Sequence, residues 1–385
     1  MIPVPSNTVA DSTIDVASDP ATPKKNTCPV CETGYSTLHA RIDGYDYFRC
    51  SSCGSLHIDS ETLDAIDAGH STRVYDEDYW AEELKAARER TEGESLVRVG
   101  EALLYARRPV RRFLDIGTGP GYLLDALAVR FPLHSTIFHG VELFPPREHS
   151  DHPNYLVGKL DDLEGRFDGG VCIEVVEHLT PRMLNELARG LARISASNSL
   201  WLFNTGMPEM VLGSDPGYLD PLRRGHIVSY GLPGVAHIFE PFGFRVRQVP
   251  GKDYAWFAEF GCEADEPTFE QRVLQPLVEN KALLQECALV YQAAFESGRA
   301  SLYLSQMLER SRWAMGLDCE LHAARELYAA LQTEHHNVAR WAHSLQDDLT
   351  NLQTEHARVL NSRSWTLTRP LRAVTRFLQG HRIRQ

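Results

Sequence analysis

The chain has 385 residues, of which 43% are hydrophobic and 24% charged, and a formal net charge of −13. So acidic a body argues against a dedicated nucleic-acid binder, whose affinity comes from neutralising phosphates, and no apolar run is long enough to span a bilayer. The length predicts two or three units.

In chain order, residues 1–26 mix Pro, Ser, Thr and Asp without an apolar block, which reads as a flexible lead and not a signal peptide. Four of the eight cysteines fall in two CxxC pairs, Cys28/Cys31 and Cys50/Cys53, within a unit spanning 27–60. Without a secretory signal this spacing favours metal over disulfides and places the chain in a reducing cytoplasm. The residues between the pairs alternate like a hairpin with its turn at Asp43-Gly44. Two such knuckles set four thiolates around a structural Zn²⁺ with no open coordination position, and the metal replaces the core that about 30 residues cannot build. Coincidental CxxC motifs or a redox pair are the competing readings. His57, just past the second knuckle, reads as a surface residue.

Residues 61–91 form a connector to the segment 92–250. Leu96, Val99, Leu103 and Leu104 recur at helical spacing. Phe113 to Ile116 then reads as a short buried strand, Gly117, Gly119 and Gly121 as a bare turn, and Tyr122 to Arg130 as a helix. Strand, glycine turn and helix make the first unit of a doubly wound sheet, with glycine where backbone turns sharply or touches a ligand. The acid Asp115 at the strand end would repel a pyrophosphate and welcome a cationic or hydroxylated ligand. A second strand ends in Glu142, placed to hold ribose hydroxyls. A third, Gly170 to Ile173, leads into Glu174 and Glu177-His178.

"LDIGTGPG", "GVELF" and "FDGGVCIEVVEHL", in that order, resemble motifs of the class I S-adenosylmethionine-dependent methyltransferases, nearest the branch that includes ubiquinone-biosynthesis O-methyltransferases. The resemblance implies an α/β, Rossmann-like doubly wound sheet over 92–250. It implies S-adenosylmethionine lying along Asp115, Gly117, Thr118, Gly119 and Gly121, with Glu142 on the ribose and Glu174 touching the cofactor or its loop. Family members usually carry an acid after the third-strand glycine to meet the adenine amine. Here Lys159 stands at that place, and Asp161 or Asp162 is the substitute. His178 and His226 are the candidate general bases; the competing reading is that one packs beside the cofactor and the other fixes a loop. His237 reads as structural.

By resemblance, a zinc ribbon ahead of this fold occurs in methyltransferases of sugars or surface glycans and in those of ribosomal RNA guanine. The ribbon here is nearly neutral, where an RNA-binding one should be basic and aromatic-laced, and "VYDEDYWAEEL" (74–84) resembles the glycan group's connector. A sugar or glycan acceptor is therefore expected, ahead of RNA or a non-catalytic cofactor-binding scaffold.

Residues 251–317 read as a helical subdomain and 318–361 as one long helix without Gly or Pro. Leu331, Val338, Leu345, Leu352 and Val359 recur every seven residues, but the second seam (Glu334, Trp341, Asp348, Glu355) is poor, so only half a coiled coil is visible. A helix paired with another copy or with glycan-assembly proteins, and one lying on its own domain, fit equally. The tail 362–385 combines six arginines with Trp365, Leu367, Leu371, Val374, Phe377 and Leu378, as in a basic amphipathic helix on an anionic membrane surface. "SRSWTLTRPLR" also resembles a segment at the ends of bacterial polysaccharide-assembly glycosyltransferases. A solvated basic tail is the alternative.

Overall fold

The structure is a computed structural model that describes residues 26–70, 72–73, 77–262 and 267–372. The expected lead, up to residue 25, and the tail beyond Arg372 lie outside the described residues. The chain divides into two compact units at Leu308.

The first unit opens with a small antiparallel sheet of β1 (Asn26–Thr27), β2 (Tyr35–Ile42), β3 (Tyr45–Cys50) and β4 (Leu56–Ile58). Asp43 and Gly44, at φ 51° and 87°, make the tight turn between β2 and β3, the pair of left-handed residues that a two-residue hairpin demands. His57, expected at the surface, is instead 1% exposed. Its Nε2 lies 2.8 Å from Ser36 Oγ and its Nδ1 2.8 Å from the Ile58 carbonyl, so a polar ring is buried with both nitrogens satisfied. Helices α1 (Ser60–Asp67), α2 (Glu77–Arg90) and α3 (Leu96–Tyr105) lead to the main sheet. Asp59 caps α1 by accepting from Thr62 N at 2.8 Å.

The main sheet is built from β5 (Phe113–Ile116), α4 (Tyr122–Arg130), β6 (Phe138–Glu142), β7 (Tyr155–Val157), β8 (Phe167–Ile173), α5 (Pro181–Ile194), β9 (Ser195–Asn204) and α6 (Pro208–Gly213). After β10 (Val228–Ser229) and α7 (Leu232–Phe239) come β11 (Phe244–Gln248) and β12 (Ala255–Phe260). Its strand order is β11-β12-β9-β8-β5-β6-β7. The strands from β9 to β7 run parallel, while β12 pairs antiparallel with both β9 and β11. Every residue of β5 is buried, as expected of a strand covered on both faces. The chain steps outward from β5 through β6 to β7, then crosses back to β8, so the crevice above β5 and β8 is the topological switch where such sheets bind ligands. The sheet continues past the expected boundary at 250: β12 inserts between β9 and β11, and Trp256 stacks on Phe203 with ring centroids 3.8 Å apart.

Strand β10 does not join this sheet. It pairs antiparallel with β4, Val228 opposite His57 and Ser229 opposite Leu56, so the cysteine sheet gains a fifth strand from the larger fold. Cys28, Val30 and Leu56 share one core cluster with Tyr230 and Val235. The small sheet is therefore an integral part of the unit, although sequence spacing describes it as free-standing.

Helices α8 (Phe269–Leu274), α9 (Val278–Gln285) and α10 (Ala288–Leu360) follow. A helical subdomain over 251–317 was expected to end before a separate helix over 318–361, whereas α10 runs unbroken across that boundary and through Gly298 and Gly316. Helices α3 and α10 approach closely at glycines: a Cβ on Gly298 would lie 3.2 Å from Tyr105 Oη, a tight contact, and one on Gly100 would lie 2.8 Å from Ala294 Cβ, too close to be accommodated without a shift. Close approach of α3 and α10, with buried Val290 and Ala294 between them, offsets the weak helix propensity of glycine. In the second unit, the heptad residues Leu331, Val338, Leu345, Leu352 and Val359 are all exposed. Its last helix, α11 (Arg363–Leu367), is capped by Ser362 Oγ, which accepts from Trp365 N at 3.1 Å. No helix among the described residues is long and apolar enough to cross a membrane.

Candidate active site

A cleft of about 1420 Å³ opens over the carboxyl ends of β5, β6 and β8. Asp115, Gly117, Thr118, Gly119, Glu142, Asp161, Glu174, His178 and His226 all line it, so residues from five separate segments of the sequence meet in one cavity.

The turn after β5 supplies one wall. Gly117, Gly119 and Gly121 take φ values of 69°, 56° and 82°, conformations that L side chains rarely adopt. Space is closed as well: a Cβ on Gly117 would lie 2.5 Å from Val175 Cγ2, and one on Gly121 2.6 Å from Ser150 Cβ. Gly121 stands just outside the cleft lining and is the turn into α4. The Glu142 carboxylate accepts from Gly119 N at 2.8 Å and from Phe144 N at 2.9 Å, one bond per oxygen. Each oxygen keeps lone-pair capacity for a ligand hydroxyl. Tyr155, which sequence reading missed, donates its hydroxyl to Gly119 O at 2.6 Å and so fixes the turn from below. Burial, with the Glu142 charge adding to it, pushes the Asp115 carboxyl up to about 7, Thr118 drawing it part of the way back.

Beyond the end of β7, Lys159, Leu160 and Asp161 line the cleft. The Asp161 carboxylate is turned to Arg193 Nε at 3.2 Å, and Asp162 folds back to accept from Lys159 N at 2.8 Å. Neither acid points its carboxylate freely into the crevice.

The opposite end is built by the residues after β8 and by the loop before β10. Glu174 holds a left-handed φ of 54°, while its N–H donates to Asn204 O and its Oε1 accepts from Asn204 Nδ2, both at 2.9 Å. His178 Nδ1 lies 3.1 Å from the Gly225 carbonyl and His226 Nδ1 2.7 Å from the Tyr218 carbonyl. Each therefore carries its proton on Nδ1. The two rings meet edge to face at 4.9 Å, and burial holds both imidazoles below their ordinary pKa. Glu177, fully buried, was read only as part of a motif; its two oxygens make no hydrogen bond among the described residues. Its Oε1 lies 3.9 Å from His226 Nε2, and burial raises the pKa of both Glu174 and Glu177; the Glu177 carboxyl pushes that of Glu174 up further, while Glu174 draws that of Glu177 part of the way back. Ligand atoms of Glu177, His178 and His226 lie within 4.8 Å of one another, so this cluster is able to hold a cation. His237, read as structural, is exposed on α7.

The four cysteines form the second such cluster, buried and unpaired by disulfides. Cys28 and Cys53 sulfurs are 3.8 Å apart and those of Cys31 and Cys50 3.6 Å apart. Tetrahedral thiolates about 2.3 Å from a zinc ion stand roughly 3.8 Å from one another, so the set has the right size. Backbone N–H groups of Val30, Ser52 and Cys53 donate to Cys28 and Cys50 sulfurs at 3.3–3.4 Å, as thiolates require.

Residues 75–249 match the family described as methyltransferase domain. No curated protein matches the chain. Solved structures resemble it at low identity. An O-methyltransferase of neocarzinostatin biosynthesis, NcsB1, in complex with S-adenosylhomocysteine and a dihydroxynaphthoic acid, is 17% identical with a TM-score of 0.35; the match covers 51% of this chain and 63% of that one. The chain thus spans less than two thirds of that protein. A sugar N-methyltransferase, KedS8, from a Streptoalloteichus species is 14% identical (TM-score 0.31), over 43% of this chain and 85% of that one. A methyltransferase from Thermotoga maritima, a possible histamine N-methyltransferase, is 14% identical (TM-score 0.34), over 48% and 98%. The matched residues 75–249 hold the glycine turn, Glu142 and both histidines of the cleft, so the methyltransferase-domain match and the candidate site coincide.

Proposed function

We propose that the chain transfers the sulfonium methyl of S-adenosylmethionine to a hydroxyl of a sugar, carried on a nucleotide or on a growing surface glycan. The observation that carries this reading is the meeting of the glycine turn and Glu142 with the His178–His226 pair in one cleft. The cofactor would lie along Asp115 to Gly119 with its ribose on Glu142. The acceptor oxygen attacks the methyl carbon in line, the C–S electron pair stays on sulfur, and the products are the methyl ether and S-adenosylhomocysteine. The acceptor's proton leaves towards the neutral histidine pair, the groups best placed to take it. The enzyme's main contribution is alignment. Arg73, Arg223 and Arg224 at the rim of the same cleft suit the phosphates of a nucleotide-linked sugar in an otherwise acidic chain.

The cysteine set fits a structural zinc ion, closed to substrate by its four ligands. The expected setting is the cytoplasm, beside the proteins that assemble surface glycan, to which the helix beyond Leu308 and the arginine-rich tail would attach it.

Incubation with methyl-labelled cofactor and three acceptor pools (nucleotide sugars, glycan and RNA) tests this reading: label is expected in sugar, and label in RNA alone overturns it. A second result concerns pH. The Asp115 pKa is raised from an ordinary 3.8 to about 7, so below pH 7 the carboxyl is mostly neutral in the empty site. A cationic cofactor favours its ionised form, and binding there expels a proton. Affinity is expected to rise about tenfold between pH 6 and pH 8, following the ionised fraction. Calorimetry should show this slope flattened in Asp115→Asn; an equal slope in both proteins would assign the proton elsewhere.

A further inference from the structure

We propose that the four-cysteine sheet is the support of the acceptor loop, and that Tyr47 is the positioning residue through which it holds His226 at the cleft. This rests on the reading of His226 as part of the acceptor side. Tyr47, on β3, is fully buried and donates its hydroxyl to the His226 carbonyl at 2.7 Å. Ile58 N donates to Ile227 O at 2.9 Å, the β4–β10 ladder follows at Val228 and Ser229, and Gly231 N donates to Ser55 Oγ at 2.9 Å. The loop is pressed onto the second knuckle itself. A Cβ on Gly231 would stand 2.1 Å from Cys53 O, and one on Gly234 would stand 2.7 Å from Val30 Cγ1 and 3.4 Å from Cys53 Sγ. On its other side the loop is held by Ile227 N donating to Glu177 O and His226 N donating to Asp220 O. A two-residue strand cannot hold a register alone; here each residue from 226 to 229, and Gly231 beyond, is tied to the cysteine sheet.

The cofactor turn is tied elsewhere. Gly117 and Thr118 N–H groups donate to Val141 O, Gly119 N donates to Glu142 and Tyr155 donates to Gly119 O. Loosening the cysteine sheet should therefore free one half of the cleft and leave the other. Because a four-thiolate metal site is also the cross-link of its own sheet, metal content and acceptor-loop order are coupled.

The test compares three full-length proteins by hydrogen exchange: zinc-loaded wild type, wild type stripped by a chelator under reducing conditions, and zinc-loaded Tyr47→Phe. Stripping is expected to speed exchange at least tenfold in peptides covering 218–234, with peptides covering 113–130 and the affinity for S-adenosylmethionine changed less than twofold. Tyr47→Phe should speed exchange about fivefold at 226–231 alone and raise the acceptor KM without moving the cofactor KM. Its cobalt-substituted form should keep the wild-type thiolate absorption, which shows the knuckles intact. Purified chain without zinc, or unchanged exchange at 218–234 in Tyr47→Phe, overturns the proposal; should stripping unfold the whole chain, the Tyr47→Phe arm decides alone. Wild type that binds no S-adenosylmethionine at all would sink the methyl-transfer reading and leave the exchange result standing.

Discussion

Glu142→Ala is expected to lower the affinity for S-adenosylmethionine by about a hundredfold while the chain stays folded. The carboxylate does two things at once. It accepts from Gly119 N and Phe144 N, which sets the glycine turn against the end of β6, and on the proposed reading its remaining lone pairs would receive the ribose hydroxyls. Hydrogen bonds to a charged group contribute roughly 1.5–3 kcal/mol each, and losing one to the ligand corresponds to about 10- to 150-fold in binding. Alanine also leaves two backbone N–H groups without their acceptor, but at a half-buried site where water replaces it. Calorimetry with the cofactor reads the affinity, and the melting shift it induces reads the same loss independently. Asp161→Ala is the contrast: its carboxylate is mostly exposed and faces Arg193, so a change under threefold is expected there. Equal losses in the two variants would mean that the ribose is held at the Lys159–Asp162 turn and that the cofactor lies differently.

The glycine-turn half of the cleft was legible because its physics is local. A four-residue apolar strand, a turn of alternate glycines and a helix start form one contiguous stretch, and β5 and α4 fall on the residues expected of them, Phe113–Ile116 and Tyr122–Arg130. The hairpin turn at Asp43-Gly44 was legible for the same reason, since two residues there carry the whole conformational signal. What escaped was set by contacts distant in sequence. Strand β10 is two residues long, too short for any periodicity, and only its pairing with β4 defines it. His57 sits beside a knuckle in a polar stretch, yet β10 covers it. Strand β12, in "DYAWFAEF", was assigned to a helical subdomain; its strict burial from Ala255 to Ala258 reflects its place inside the sheet, and an apolar run of that length does not distinguish strand from helix. The expected boundary between 317 and 318 falls inside a helix that runs through Gly298 and Gly316 and packs closely at the first of them.

The largest stability effect is expected from a group that no motif marks. Glu101, on α3, is fully buried and pairs with both Arg98 and Lys252, while Tyr105 Oη donates to it at 3.2 Å. Lys252 also donates to Ser297 Oγ at 2.9 Å, which ties α10 to the sheet, and Arg98 Nε donates to Asn204 Oδ1 at 2.8 Å. Since Asn204 Nδ2 donates to Glu174, one buried network runs from the long helix to the floor of the cleft. Burial alone would raise the Glu101 pKa, but Lys252 and Arg98 outweigh it and hold the carboxyl below its ordinary value. A depressed acid contributes stability that is present above its unfolded pKa and is lost as pH falls through the folded one. Glu101→Gln keeps the shape and removes the charge, leaving two buried cations without their counter-ion, a change that costs about 3–5 kcal/mol. For a unit of this size the melting temperature should fall by about 6–10 °C at pH 7.5, and the gap between variant and wild type should close as the solution is taken down into the acid range where Glu101 itself is protonated. The cleft should register the same change, because Asn204 loses the fixed guanidinium that orients it and Glu174 loses Asn204. Cofactor affinity measured well below the variant's melting temperature is therefore expected to drop only a few-fold, far less than in Glu142→Ala. A gap in melting temperature that stays constant from pH 7.5 into acid would show that the lost stability came from packing and not from the charge.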